Sequence, residues 1–245
     1  MRRVAALLLG LSMTVASLTA CGKGGDLVIG VRVGYPGLVL RLPGGGYTGF
    51  DVTVAQYVAR ELGYRDGQIS YTGDLDQADI VVGTSGVRDT AGPYLVTSSD
   101  ILVRAGDLTI SRPKDLRRKR VCGTRADTAP LVGRLGTAWK AAFLAEANVP
   151  AACAPLLAKG RIDAIVADAP VLVGLDAQYP GRFRLCGASI AVHRYGIEAR
   201  SEGAREEIDA ALRRMFDDGA WNRAVIRHLG VLAARYTAPP ALGMT

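Results

Sequence analysis

The chain predicts an α/β fold with mostly parallel sheets, and three observations carry that expectation. Short apolar runs rich in β-branched residues, at 27–33, 78–83 and 162–167, have the length and composition of buried strands. Segments with apolar residues at helical spacing lie between them. The alternation breaks around Pro113 and restarts at Arg120, so two strand-and-helix blocks follow one another. Two blocks suggest two lobes, and sheets of this kind place their ligands beyond the strand ends.

Leu27-Val28-Ile29-Gly30-Val31-Arg32-Val33 reads as the first strand. Leu38 to Leu42, the turn Pro43-Gly44-Gly45-Gly46 and Tyr47-Thr48 read as a hairpin. Its glycines are no phosphate loop, because no Gly-Lys-Ser/Thr follows them. Asp51 is placed to cap a helix with Val54, Ala55, Val58 and Leu62 on one face, and Gly63 ends it. Ala78 to Gly83 and Ile101 to Arg104 are further strands, and Pro113 to Leu116 starts a helical turn. In the second block Arg120 to Gly123 is strand-like, and a helix runs from about Ala129. Val149-Pro150 opens another helix through Lys159, stopped by Gly160. Ile162 to Ala167 is a strand bounded by Asp168, and Phe183 to Cys186 is one more. Ile208, Ala211, Leu212, Met215 and Phe216 recur at helical spacing, with Gly219 as a stop before a last helix from Trp221 to Leu229.

The first residues carry an address. Met1-Arg2-Arg3 precedes an apolar run from Val4 to Val15, then Leu18-Thr19-Ala20-Cys21. A charged start, a short apolar stretch and small residues before a cut describe an export signal. The run is shorter than the roughly 20 apolar residues of a membrane span. Its last four residues resemble the bacterial lipobox, whose cysteine is acylated and becomes the mature N-terminus; a plain secretory signal is the alternative. Residues 1–20 are therefore expected as a lipoprotein signal peptide, Cys21 as the lipidation site and 21–25 as a flexible tether. The expected location is the extracytoplasmic face of the cell membrane, held by the lipid anchor.

Composition agrees with a folded, exported protein. Hydrophobic residues make up 49% and charged residues 22% of the 245, which argues against disorder. The formal charge of +7 suits a neighbour of anionic headgroups. No basic helix and no aromatic–basic interleaving points to nucleic acid. Besides Cys21 there are Cys122, Cys153 and Cys186, enough for one bridge with one thiol left over. No C-x-x-C occurs and the histidines are His193 and His228, so no structural zinc site is expected and no cofactor is implied.

Several segments resemble the polar-amino-acid group (family 3) of solute-binding proteins that serve ABC importers. Gly49-Phe50-Asp51-Val52 is similar to that family's Gly-Phe-Asp helix start. Gly92-Pro93-Tyr94-Leu95-Val96, followed by Asp100 to Arg104, is similar to its crossing segment. Asp115-Leu116 with Lys119-Arg120-Val121-Cys122 resembles a further stretch, and Gly160 to Asp168 its "G-x-V-D-A-V-V-x-D" strand. Tyr195-Gly196-Ile197 and Asp218-Gly219-Ala220-Trp221 complete the series, in family order. Ile29-Gly30-Val31-Arg32 leading to Pro36-Gly37-Leu38 looks most like the lipoprotein branch associated with glutamate.

The resemblance implies the periplasmic-binding-protein type II fold, two α/β lobes joined by two crossing strands. Lobe 1 would comprise 26–98 and 194–232, lobe 2 99–193, with 233–245 as a C-terminal tail. The glutamate-like branch carries a cysteine pair where Cys122 and Cys153 fall, which implies that disulfide; three buried thiols are the alternative. The resemblance also implies a ligand set. Asp168 would accept from the ligand's ammonium group, or else cap the following Ala169-Pro170 segment. Phe50 would pack on the ligand's aliphatic part, or else staple the helix it precedes; Tyr35 would be a second aromatic, or a surface-loop residue. Arg32 would reach an acidic side chain, or stay an exposed strand-end arginine.

At the carboxylate end the sequence departs from its relatives. Gly83 and Thr84 open the segment in which the family's arginine forks onto the α-carboxylate, and Arg88 is the match, but Pro93-Tyr94 follows four or five residues too soon. Where relatives start a helix with Gly-Ser/Thr-Thr, this chain has Arg125-Ala126-Asp127-Thr128. Thr128 stays a candidate donor; Asp127 would repel a carboxylate if it faced the cleft.

The functional expectation is a lipid-anchored binding protein, a monomer, that captures a glutamate- or glutamine-like amino acid and delivers it to ABC permease subunits. A diverged envelope adaptor or sensor that feeds no transporter is the alternative. Catalysis, for instance as a dehydratase, would need a general acid or base in the cleft. His193 is the only histidine in the crossing region, and no second catalytic carboxylate stands beside Asp168, so no enzyme is expected.

Overall fold

The computed structural model describes residues 24–84, 90–201 and 203–243. The export signal, the lipidation site Cys21 and Arg88 lie outside the described residues.

Strands β1 (Leu27–Gly30), β4 (Ile69–Thr72) and β5 (Ile80–Thr84) form one parallel group with β1 in the middle. β7 (Val121–Gly123), β8 (Leu144–Glu146) and β9 (Ala164–Asp168) form a second parallel group around β7. Two longer strands, β6 (Ala91–Arg104) and β11 (Val192–Ala199), run antiparallel between the groups, giving the order β4-β1-β5-β11-β6-β9-β7-β8. β10 (Phe183–Leu185) adds to β6, and β2 (Leu40–Arg41) with β3 (Tyr47–Thr48) forms the separate hairpin. The strand β6 serves both groups. Its residues up to Ser98 pair with β11, and from Ser99 onward they pair with β9, where Ser99 lies opposite Asp168.

Helices cover the sheet faces because their apolar stripes have nowhere else to go. α1 (Phe50–Glu61) packs on α6 (Ala204–Asp217) and α7 (Ala220–His228), burying Val54, Ala55 and Val58 with Ile208, Leu212 and Trp221. In the second group α2 (Arg125–Leu135) and α3 (Thr137–Phe143) enclose Ile101, Val103, Leu131, Trp139 and Val166. α4 (Ala154–Ala158) and α5 (Ala169–Gln178) precede and follow β9. No helix among the described residues is long and apolar enough to cross a membrane.

Several elements differ from the sequence expectation. Asp51 does not cap α1: Gly49 holds that position, and the Asp51 side chain is buried and accepts from the Tyr94 hydroxyl at 2.9 Å. α2 begins at Arg125, four residues before the expected start, because Thr124 accepts from the Asp127 amide at 3.2 Å. Apart from these differences, 230–235 form a 3-10 turn, the Tyr236 hydroxyl donates to Thr97 at 2.9 Å, and the Gly243 amide bonds the Gly92 carbonyl.

Cys122 of β7 and Cys153, in the turn Pro150–Cys153 ahead of α4, are joined by a disulfide with Cα atoms 5.7 Å apart; Cys186 is a free thiol, half-buried. The bridge spans a sequence separation of 31. A closed loop of that length stabilises by roughly 3–4 kcal/mol through the unfolded chain. A Cys122→Ser, Cys153→Ser double variant should lose about that much in urea unfolding. An unchanged midpoint would remove the bridge from the stability of the fold.

Candidate functional site

The site residues converge where the parallel strands end, as the fold rule anticipates. The chain leaving β1 carries Arg32 and Tyr35; β5 ends on Gly83 and Thr84; β7 leads into Thr124 and Asp127; β9 ends on Asp168. β11 runs across them and presents His193 and Tyr195, two residues apart and hence on one face.

Asp168 is the centre of this cluster. It precedes α5 with extended backbone, yet its side chain makes no capping bond. The second residue of α5 is Pro170, which has no N–H to offer a cap, so the carboxylate is free to turn inward. It accepts from the Tyr195 hydroxyl at Oδ2, while Ser99 Oγ and His193 Nε2 stand 3.5 and 3.3 Å from Oδ1. Only 3% of it is exposed. Burial pushes its pKa up to about 6, against the pull of His193 and Tyr195 and with help from the neighbouring charge of Asp127.

Asp127 also faces this point. Its carboxylate accepts from the Thr124 hydroxyl at 2.5 Å, and burial raises its pKa. One ligand atom each from Asp127, Asp168 and His193 lie within 4.8 Å of one another, a group able to hold a cation. Ser99, His193 and Asp168 do not form a proton relay. His193 uses the same nitrogen, Nε2, for Ser99 (2.7 Å) and Asp168, and Ser99 is fully buried.

Within the electrostatic reach of these acids Arg32 stacks on Tyr35, its guanidinium carbon 4.8 Å from the ring centre and its Nη2 donating to the hydroxyl at 3.3 Å. Burial raises the Tyr35 pKa, Arg32 opposes the rise, and the charges of Asp127 and Asp168 add to it. The same loop touches the second group of elements backbone to backbone. A methyl on Gly37 would stand 2.4 Å from the Pro170 carbonyl oxygen, and one on Gly174 of α5 would stand 2.4 Å from the Gly37 nitrogen.

The structure withdraws three expected ligand contacts. Phe50 is fully buried in the core, with ring centres of Tyr94 and Trp221 at 6.2 and 6.4 Å, because the first residue of α1 points between sheet and helices. The Thr128 hydroxyl donates to the Thr124 carbonyl at 2.7 Å and is spent inside its own helix. The Thr84 hydroxyl donates to the Gly196 carbonyl at 3.2 Å and ties β5 to β11. Gly83 stays near the site as a spacer: a methyl there would stand 2.8 Å from Asp51 Oδ2. Arg32, Tyr35 and Asp168 are brought together. Sequence reasoning missed Tyr195 and Ser99 as partners of Asp168; a period-two reading of 192–199 would have put Tyr195 beside His193.

No family model matches the chain. Two relatives match along most of its length. Glutamate-binding protein GluB of Corynebacterium glutamicum is 28% identical over 268 residues, covering 93% of this chain and 90% of the relative. Its namesake from Corynebacterium efficiens is 28% identical over 261 residues, covering 92% and 88%. Among solved structures, an ancestral arginine-binding protein bound to glutamine superposes with a TM-score of 0.70 at 23% identity, covering 85% of this chain and 99% of that one. This likeness gives the fold, the type II periplasmic-binding-protein architecture.

Proposed function

We propose that this chain, a member of the polar-amino-acid group of solute-binding proteins by its relatives and fold, captures a polar amino acid and hands it to the permease of an ABC importer. The observation that carries the reading is Asp168, a buried carboxylate at the meeting point of both strand groups, where an ammonium group finds a charged acceptor. Taking 26–98 with 194–232 as one lobe and 99–193 as the other, Arg32 and Tyr35 belong to lobe 1 and Asp168, whose charge acts on Tyr35, to lobe 2. The relatives' name makes glutamate the first ligand to test. The structure does set a second carboxylate, Asp127, beside Asp168, against the sequence expectation; the reading of binding over catalysis rests on the relatives, which are named as binding proteins. The adaptor reading rested on Asp127 and on the register of Arg88, which lies outside the described residues; relatives named as glutamate-binding proteins do not favour it.

Calorimetric titration of the purified protein with all natural amino acids tests the reading. Micromolar binding of at least one is expected; no heat with any of them sinks it. Binding should also depend on pH. Asp168 must be ionised to accept, and its pKa of about 6 means that affinity falls as pH drops below it. Affinity at pH 5 should be about tenfold weaker than at pH 7, since one pH unit below a pKa leaves roughly a tenth of the group charged. A flat profile over that range would take Asp168 out of the contact.

We also propose the lipid anchor at Cys21 and a location on the outer face of the cell membrane, on the lipobox-like Leu18-Thr19-Ala20-Cys21 alone. Mass spectrometry of the mature N-terminal peptide decides it: a diacylglyceryl-modified Cys21 is expected, and an unmodified N-terminus elsewhere refutes it. The Cys122–Cys153 bridge, proposed to form in the exported protein, is read in the same experiment as two thiols protected from alkylation until reduced.

A further inference from the structure

The cluster around Asp168 holds one acid more than an amino-acid seat requires. Asp127 is the third residue of α2, and the Thr124 side chain both donates to its carboxylate and accepts from its amide. This reciprocal cap fixes the carboxylate at the positive end of the helix, 8% exposed, and turned toward Asp168 and His193. A resident carboxylate thus already occupies the place where backbone amides would receive an incoming one. Any ligand carboxylate brought there would meet like charge at short range in a buried setting, which is costly, and an acidic amino acid has two carboxylates to place elsewhere where a basic one has a single α-carboxylate.

The charges around the seat lean the same way. Asp127 and Asp168 face it as acids, and Arg32 is the guanidinium whose field reaches Asp127. Asp51, also within the field of Arg32, is already bonded to Tyr94. His193 spends Nε2 on Ser99 and Asp168. Among the described residues the two carboxylates and the one guanidinium leave the seat one negative charge, and a ligand of net charge +1 cancels it.

Resting on the amino-acid reading, we propose that Asp127 is the specificity-determining residue of this site. Asp127 and Asp168 together seat one ammonium or guanidinium group, and the ligand class is the basic amino acids, in preference to acidic ones. A bare metal ion is the competing occupant, and Tyr195 on Asp168 Oδ2 together with Ser99 on His193 Nε2 already takes up part of the ligand set such an ion would need.

Calorimetry on the wild-type protein and on Asp127→Asn, with lysine, arginine, glutamine, glutamate and zinc chloride as probes, tests this. Asparagine keeps an acceptor for the Thr124 hydroxyl, and the variant's melting temperature checks that it folds; Asp127→Ser serves if it does not. Wild type should bind lysine or arginine at least 30-fold tighter than glutamate, and the variant should narrow that ratio at least tenfold. Glutamate binding tighter than both basic amino acids overturns the inference and leaves the amino-acid reading standing, as does an unchanged ratio in the variant. Zinc binding tighter than every amino acid overturns it in favour of a metal. Absence of binding by any amino acid to either protein overturns the underlying reading as well.

Discussion

Replacing Asp168 with alanine should weaken amino-acid binding by 100-fold or more while leaving the melting temperature of the ligand-free protein nearly unchanged. The first effect follows from what the ligand loses. Removing one partner of a buried, hydrogen-bonded charge pair costs roughly 2–5 kcal/mol, and about 2.8 kcal/mol is already 100-fold. The second follows from opposing terms. Burial holds the Asp168 pKa near 6 against its usual 3.8, so the ionised carboxylate costs the fold about 3 kcal/mol at neutral pH, and alanine relieves it. Against this, Tyr195 and Ser99 lose an acceptor, at about 1–3 kcal/mol for a buried group. A residue kept for packing would show the reverse pattern, lower stability with binding intact. Titration and thermal unfolding of the same variant separate the two, and affinity within fivefold of wild type would end the assignment.

The second large effect belongs to Asp51, which has no place in ligand contact. It is buried under Tyr94, and burial raises its pKa to about 7, with the Tyr94 hydrogen bond and Arg32 pulling the other way. A carboxyl whose folded pKa lies above its unfolded value of 3.8 holds a proton in the folded state that the unfolded chain releases. Stability therefore falls as pH rises from about 4 to about 7 and levels off above. The full span is roughly 4 kcal/mol at 1.36 kcal/mol per unit. Asp51→Asn removes the ionisation while its amide oxygen still accepts from Tyr94. Urea unfolding at pH 8 should show a gain of about 2–3 kcal/mol, the remainder being lost to an amide NH2 without an acceptor. At pH 4.5 the variant should be no more stable than wild type. Equal effects at both pH values would mean that Asp51 is charged throughout.

The two effects bear on what could be read from residues alone. The strand ending in Asp168 was legible because Ile162 to Ala167 is an unbroken apolar run that stops on an acid. β4 and β8 were not, and both are edge strands whose short, mixed sequences, Ile-Ser-Tyr-Thr and Leu-Ala-Glu, gain strand structure from one neighbour. α5 shows no helical period, being packed on β6, β9 and the 230–235 turn at once. Phe50 was misplaced for a related reason: an aromatic at a helix start has the same composition signature in a cleft wall and in a core. Only packing against Tyr94 and Trp221 distinguishes them. Asp127 was recognised as a departure, but its direction required the Thr124 cap to be seen in place.

The pairing change along β6 has a mechanical corollary. Ser99, the first residue in register with β9, is also the residue whose hydroxyl approaches Asp168. A charge settling on that carboxylate therefore pulls at the fulcrum of two levers rather than at their tips. A hinge at that point would turn a small displacement there into a larger relative movement of the two strand groups.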